Sequence, residues 1–135
     1  MTTVIHHNPD CGTSRNVLAV IRATGTEPII IEYLKTGWTR PQLQSLFAVA
    51  DQTPRAALRT SKSPAAELGL LEAAASDDDV LDAMIAHPIL VNRPIVCTPK
   101  GVALCRPSEV VLPILEIPLT EPMYKEDGTP IITPI

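Results

Sequence analysis

The first thirty-three residues constrain the fold more than any other part of the chain. Thr2–His6 reads as a short strand that opens directly into the polar run HNPDCGTSRN. From Ser14 to Thr24 the apolar side chains Val17, Leu18, Val20 and Ile21 recur at helical spacing, and Gly25 supplies the C-terminal stop. Pro28 then precedes Ile29–Tyr33, a β-branched run suited to a buried parallel strand. Strand, helix and strand packed into so short a stretch make a βαβ unit, so the two strands are expected to be parallel with a right-handed crossover.

The remaining elements follow from local signals. Thr39 caps an amphipathic helix carrying Leu43, Leu46, Phe47 and Ala50, with Trp38 as a packing residue just outside it. Pro54–Arg59 is expected to form a short helical turn. Ser76 caps a further helix that runs to about His87. Asp77, Asp78 and Asp79 fill its first turn, where the macrodipole favours negative charge, so capping explains the triplet without a metal. Ile95–Thr98 and Val102–Cys105 flank Pro-Lys-Gly and read as a hairpin with a three-residue loop. Ser108–Leu115 is a last short helix. Residues 113–135 hold five of the fourteen prolines, so residues 118–135 are expected to be an extended tail on a domain spanning 1–117. The order β-α-β, helices, hairpin, helix gives an α/β thioredoxin-like fold: a four-stranded mixed sheet with a helical insertion. Arg93-Pro94 stands just before the hairpin, where that fold places a cis-proline beside its active site.

Composition narrows the function. Eleven basic against fifteen acidic residues leave a net charge of −4, so no basic field invites nucleic acid or anionic lipid. Four aromatic residues are too few for a base-stacking platform. The chain shows no apolar run long enough to span a membrane and no basic n-region of a secretory signal. Three cysteines, an odd number, fit a reducing cytoplasm better than a disulfide framework.

Cys11 is the candidate nucleophile. It ends the first loop immediately before a helix start, where the N–H groups of Gly12, Thr13 and Ser14 and the helix dipole favour a thiolate. His7 and Arg15 are expected to add positive charge, while Asp10 works the other way. Ser14 occupies the place of the second cysteine in a C-x-x-C motif, so a dithiol route is missing locally and an external thiol is needed. A C-x5-R phosphatase loop is excluded because position 17 is Val17. Cys97 and Cys105 read as small strand residues; pairing Thr98 with Val102 would place their sulfurs on one face of the hairpin. Arg93 and Arg106 recur in matching Asn-Arg-Pro and Cys-Arg-Pro contexts at the same end of the hairpin, and Arg59 lies in RAALRTS. A guanidinium fork binds tetrahedral oxyanions by paired hydrogen bonds, so convergence on Cys11 would define an oxyanion site.

HNPDCGTSRN at 7–16, RAALR at 55–59, HPILVNRPIV at 87–96 and LCRPSEVV at 104–111 together resemble the glutaredoxin-coupled arsenate reductases, and KEDG at 125–128 resembles their C-terminal region. The resemblance implies that Cys11 attacks arsenate, that Arg59, Arg93 and Arg106 bind it and stabilise the adduct, and that His7 and Ser14 support the thiolate. It implies glutathione as cosubstrate, glutaredoxin as partner and no bound metal, flavin or nucleotide. A cytoplasmic monomer is expected. Two other classes share these features: a Spx-like thioredoxin-fold regulator that binds RNA polymerase, against which the missing C-x-x-C argues, and a glutathione-dependent thiol reductase with another substrate.

Overall fold

A computed structural model describes residues 2–132. The chain forms two compact units, one made of the residues up to 32 together with those from 93 onward, the other of residues 33–92.

The first unit carries the sheet. Strands β1 (Val4–His6) and β2 (Ile29–Ile31) run parallel and are joined by helix α1 (Gly12–Ala23). Strand β3 (Ile95–Thr98) lies antiparallel to β1, and β4 (Gly101–Leu104) antiparallel to β3, giving the order β2-β1-β3-β4. The α/β layer structure with a four-stranded mixed sheet is therefore as expected. Ile5 pairs with Val96 and Val96 with Ala103, so these side chains share one face. That face meets Val17, Val20 and Ile21 of α1, and Val111 and Leu115, in one buried cluster. Each such aliphatic side chain contributes about 1.5–3 kcal/mol when fully buried. Gly25 ends α1 with φ of 88°, a left-handed conformation that disfavours any residue with a Cβ.

Four details differ from the sequence reading. Strand β2 is not buried: Ile29 is 53% and Ile30 37% exposed, because β2 is the sheet edge and pairs only with β1. Tyr33 has already left the strand and starts a helical turn in the other unit. The hairpin loop is two residues, Pro99-Lys100, and Thr98 pairs with Gly101, whose φ of 153° suits a glycine. This moves the register by one: Cys97 opposes Val102 and Ile95 opposes Leu104. Strand alternation then puts Cys105 on the face opposite Cys97 rather than beside it. Finally, Ser108–Ile114 is a 3-10 helix, with Pro113 inside it. Within the proline-rich segment, Leu119 and Ile131 are buried in the α1 cluster, and β5 (Met123–Tyr124) pairs antiparallel with β6 (Pro130–Ile132). Residues 133–135 of that segment lie outside the described residues.

The second unit holds α2 (Tyr33–Thr36), α3 (Arg40–Val49), α4 (Asp77–Ala86) and a 3-10 turn at Pro88–Leu90. Thr39 and Gln42 form a capping box on α3, and Ser76 and Asp79 form one on α4, each side chain satisfying an orphan N–H of the first turn. Trp38 is buried and stacks on Tyr33, their ring centroids 5.2 Å apart. Ser76→Ala removes the acceptor for the Asp79 N–H and is expected to lower unfolding free energy by about 1 kcal/mol. A urea titration, read as a lower midpoint with unchanged slope, checks it.

Candidate active site

The loop after β1 is built to hold Cys11 at a helix start. The His7 N–H donates to Ile31 O at 2.8 Å, keeping the loop's root on the parallel ladder. Asn8 then folds the chain back: its side-chain Oδ1 accepts the Asp10 N–H at 2.9 Å and its carbonyl accepts the Cys11 N–H at 3.1 Å. Cys11 is the N-cap of α1, with extended backbone, and its carbonyl accepts the first helical bond from Arg15 at 2.9 Å. Beneath it, Ser14 is completely buried. Its Oγ lies 2.6 Å from His7 Nδ1 and accepts the Asn8 N–H at 3.1 Å. Loop and helix are thus tied at one hydroxyl.

Arg93 and Arg106 come from the neighbouring end of the β3–β4 hairpin. Each precedes a cis-proline, Pro94 and Pro107; the first was anticipated and the second was not. The Cys105 N–H donates to Pro94 O at 2.9 Å, holding the two bends side by side. Arg106 Nη1 donates to Cys11 Sγ at 3.6 Å and to the Arg93 carbonyl at 3.2 Å. Cys11, Arg93 and Arg106 are brought together.

The electrostatics separate Cys11 from the other thiols. Burial alone would raise its pKa. The Ser14 backbone N–H, which falls short of a capping hydrogen bond but favours the anion, and the Arg93 and Arg106 guanidiniums more than offset that cost, leaving the thiol below its ordinary value. Burial pushes Cys97 up, and burial reinforced by Cys97 pushes Cys105 up to about 12. All three cysteines are free.

Of the two other expected contributors, Arg15 keeps a coulombic interaction with Cys11 while its fork is engaged elsewhere, and His7 acts differently. His7 is disfavoured as a cation: burial lowers its pKa, Glu32 opposes this and Arg22 and Arg15 add to it, and the ring is a hydrogen-bond partner to Ser14. Arg15 turns its fork to Glu126, at 2.8 and 2.9 Å, and to the Pro9 carbonyl at 2.8 Å. Glu126 also donates its backbone N–H to Asn16 Oδ1 at 3.0 Å, so the turn between β5 and β6 is fastened to α1. Neither Asn8 nor Glu126 stood out in the sequence, since an asparagine in a loop and a glutamate in KEDG announce no partner. Arg59 belongs to the other unit, where its N–H donates to Leu90 O at 2.8 Å and its Nε to Ser61 O at 3.0 Å, beside the Leu58–Val91 bridge. Among the described residues no group of three or more His, Cys, Asp or Glu side chains is arranged to hold a metal.

The sequence profile of the ArsC family matches residues 6–114, a span that includes Cys11, Arg59, Arg93 and Arg106. The chain belongs to the ArsC family. An arsenate reductase of Synechocystis sp. is 67% identical over 129 residues, covering 96% of this chain and 92% of the relative. An arsenate reductase of Escherichia coli is 53% identical over 128 residues, covering 95% and 91%. The solved structure of an arsenate reductase from Vibrio cholerae superposes with a TM-score of 0.80 at 38% identity, covering 85% of this chain and 98% of that one. The thioredoxin-like fold is thereby established for this ArsC-family chain.

Removing a cation from the Cys11 thiolate destabilises the charged form. Arg106→Ala is therefore expected to raise the pH of half-maximal Cys11 alkylation by about one pH unit, as followed by mass spectrometry of iodoacetamide-treated protein. Arg22→Ala, whose guanidinium pairs with Glu27, is expected to leave it in place.

Proposed function

We propose that this protein reduces arsenate to arsenite for arsenic detoxification, with Cys11 as nucleophile and glutathione and glutaredoxin as the reducing partners. The observation that carries the reading is the Arg106 guanidinium 3.6 Å from a Cys11 sulfur whose pKa is lowered, in a chain so similar to arsenate reductases. Arg93 and Arg106 supply donors for a tetrahedral oxyanion next to the attacking sulfur. Arg59 is the third arginine of the proposed site, on the strength of the RAALR match. His7 and Ser14 support the thiolate by fixing the loop that carries it.

The thiolate attacks As(V), forming an As–S bond while an arsenate oxygen leaves as water. The thiolate of glutathione then attacks the Cys11 sulfur. The As–S bond breaks, its electron pair passes to arsenic, arsenite departs as As(III), and a Cys11–glutathione disulfide remains. Glutaredoxin takes up the glutathionyl group and returns Cys11 as a thiol. One arsenate and two thiols yield one arsenite, one disulfide and one water. Three free cysteines suit a reducing compartment, the cytoplasm; no helix among the described residues is long and apolar enough to cross a membrane.

The test is arsenate-dependent NADPH oxidation in the presence of glutathione, glutaredoxin and glutathione reductase. Cys11→Ser is expected to abolish it. Cys97→Ser, and Cys105→Ser if circular dichroism shows it folded, are expected to retain it; comparable turnover by Cys11→Ser would sink the mechanism. Thioredoxin replacing glutathione should support little activity.

Lysine keeps the charge of arginine and loses the fork. Arg93→Lys and Arg106→Lys are each expected to reduce kcat/KM for arsenate roughly tenfold or more, from charge-assisted hydrogen bonds of about 1.5–3 kcal/mol. Arg22→Lys and Arg40→Lys, which face Glu27 and Asp78 in exposed pairs, should match the unaltered protein. Wild-type kinetics for all four would mean that the arginines bind no oxyanion.

A further inference from the structure

A cavity of about 330 Å³ opens at the start of α1, walled by Gly12, Thr13 and Asn16, by Pro107-Ser108, and by Lys125–Asp127 in the β5–β6 turn. Gly12 follows Cys11 in the chain and Pro107 follows Arg106, so two walls are direct continuations of the residues that make the thiolate. The third wall is positioned by the Arg15–Glu126 pair and by the Glu126 N–H on Asn16 Oδ1. None of these contacts is needed to hold an oxyanion at Cys11.

The polar groups of the cavity are of mixed sign. Lys125 Nζ forms an ion pair with Glu109 Oε1 at 2.6 Å, and its ammonium carries three N–H donors. Asn16 uses its oxygen on the Glu126 N–H, so its amide nitrogen remains a donor. Asp127 Oδ1 accepts from Thr129 N and Oγ1 at 2.9 and 2.7 Å, which fixes the carboxylate and keeps it ionised. Glu126 is already matched by Arg15. The cavity therefore presents an ammonium and an amide N–H for a carboxylate, and a carboxylate for an ammonium. An anion alone would meet Asp127, and a cation alone would meet Lys125. A free α-amino acid group satisfies both.

We propose that this cavity is the thiol cosubstrate's subsite, binding the zwitterionic α-amino-acid end of a γ-glutamyl thiol through Lys125 and Asn16 on its carboxylate and Asp127 on its ammonium. The proposal rests on the reading that glutathione reacts at Cys11, and it adds the residues that recognise it. The volume is at the low end for small-molecule sites, about 300–1,000 Å³, and matches one arm of the tripeptide, with the cysteinyl sulfur directed toward Cys11. Lys125, Asn16 and Asp127 are positioning residues: they touch the cosubstrate far from its reacting atom.

The experiment uses no arsenate, so it is separable from the reductase reading. The full chain is treated with glutathione disulfide or with the disulfide of cysteinylglycine, which keeps the cysteinyl S–S bond and lacks the γ-glutamyl arm. The Cys11 thiolate attacks one sulfur, the S–S bond breaks, one thiolate leaves, and the mixed disulfide is counted by mass spectrometry. Lys125→Gln and Asp127→Asn are each expected to slow modification by glutathione disulfide at least threefold while leaving that by cysteinylglycine disulfide within twofold. Glu109→Gln breaks the same ion pair but keeps the ammonium, and is expected to retain the preference for glutathione disulfide. Equal rates for all proteins, equal losses with both disulfides, a Glu109→Gln loss matching that of Lys125→Gln, or no modification of the unaltered protein would each overturn the proposal. Arsenate-dependent turnover, measured separately, bears on the reductase reading alone.

Discussion

The site depends on one opposition: Cys11 is withdrawn from water, which raises its pKa, and the Ser14 N–H at the helix start together with guanidiniums from a distant stretch of sequence lower it again. Neither half suffices. A fully exposed thiol would be open to indiscriminate oxidation, and a buried one with neither the Ser14 N–H nor the guanidiniums would be raised, as Cys105 is. The Arg106 guanidinium joins the halves, because Nη1 reaches both Cys11 Sγ and the Arg93 carbonyl. Sheet order follows from the same need. β3 lies next to β1, so the loop leaving β1 and the bends flanking the β3–β4 hairpin meet at one end.

Charge in this net-acidic chain is arranged locally. Arg22 and Arg40 face carboxylates on exposed surfaces, pairs that contribute little to stability. Arg15, four residues from the nucleophile, is turned to Glu126 and becomes a fastener for the β5–β6 turn. Arg93 and Arg106 are the guanidiniums that lower the thiol's pKa, while Arg15 keeps a coulombic interaction with it from its place on Glu126. Sequence distance is a poor guide to this division, since Arg106 is 95 residues from Cys11.

Where a signal was local it could be read from the sequence. The βαβ unit, the caps at Thr39 and Ser76, and the setting of Cys11 follow from patterns within a few residues. Signals that depend on what lies across a sheet could not be read this way. Ile29–Ile31 has the composition of a buried strand, but its position at the sheet edge exposes it. The hairpin register turned on whether Gly101 belongs to the loop or the strand, and its φ decides for the strand. Histidine titrates near neutrality, which suggests a cation at His7, but burial lowers its pKa and disfavours the charge. Four quoted motifs identified the family because their order and spacing carry tertiary information that single residues lack.

Ser14 stands where a local resolving thiol would be. In a C-x-x-C motif this position would carry the second sulfur, one helical turn from the first. Here its side chain is completely buried, and its oxygen joins His7 Nδ1 and the Asn8 N–H, the two groups that fix the loop. Sulfur forms longer and weaker hydrogen bonds than a hydroxyl, so a cysteine would loosen the loop that holds Cys11 at the helix start. The remaining thiols offer no substitute: Cys105 is buried in the α1 cluster and raised to about 12, and Cys97 lies on the opposite face of the hairpin. A serine that ties the loop in this way leaves no resolving thiol one turn from Cys11, and the proposed reduction of a Cys11 adduct accordingly draws on a thiol outside the chain.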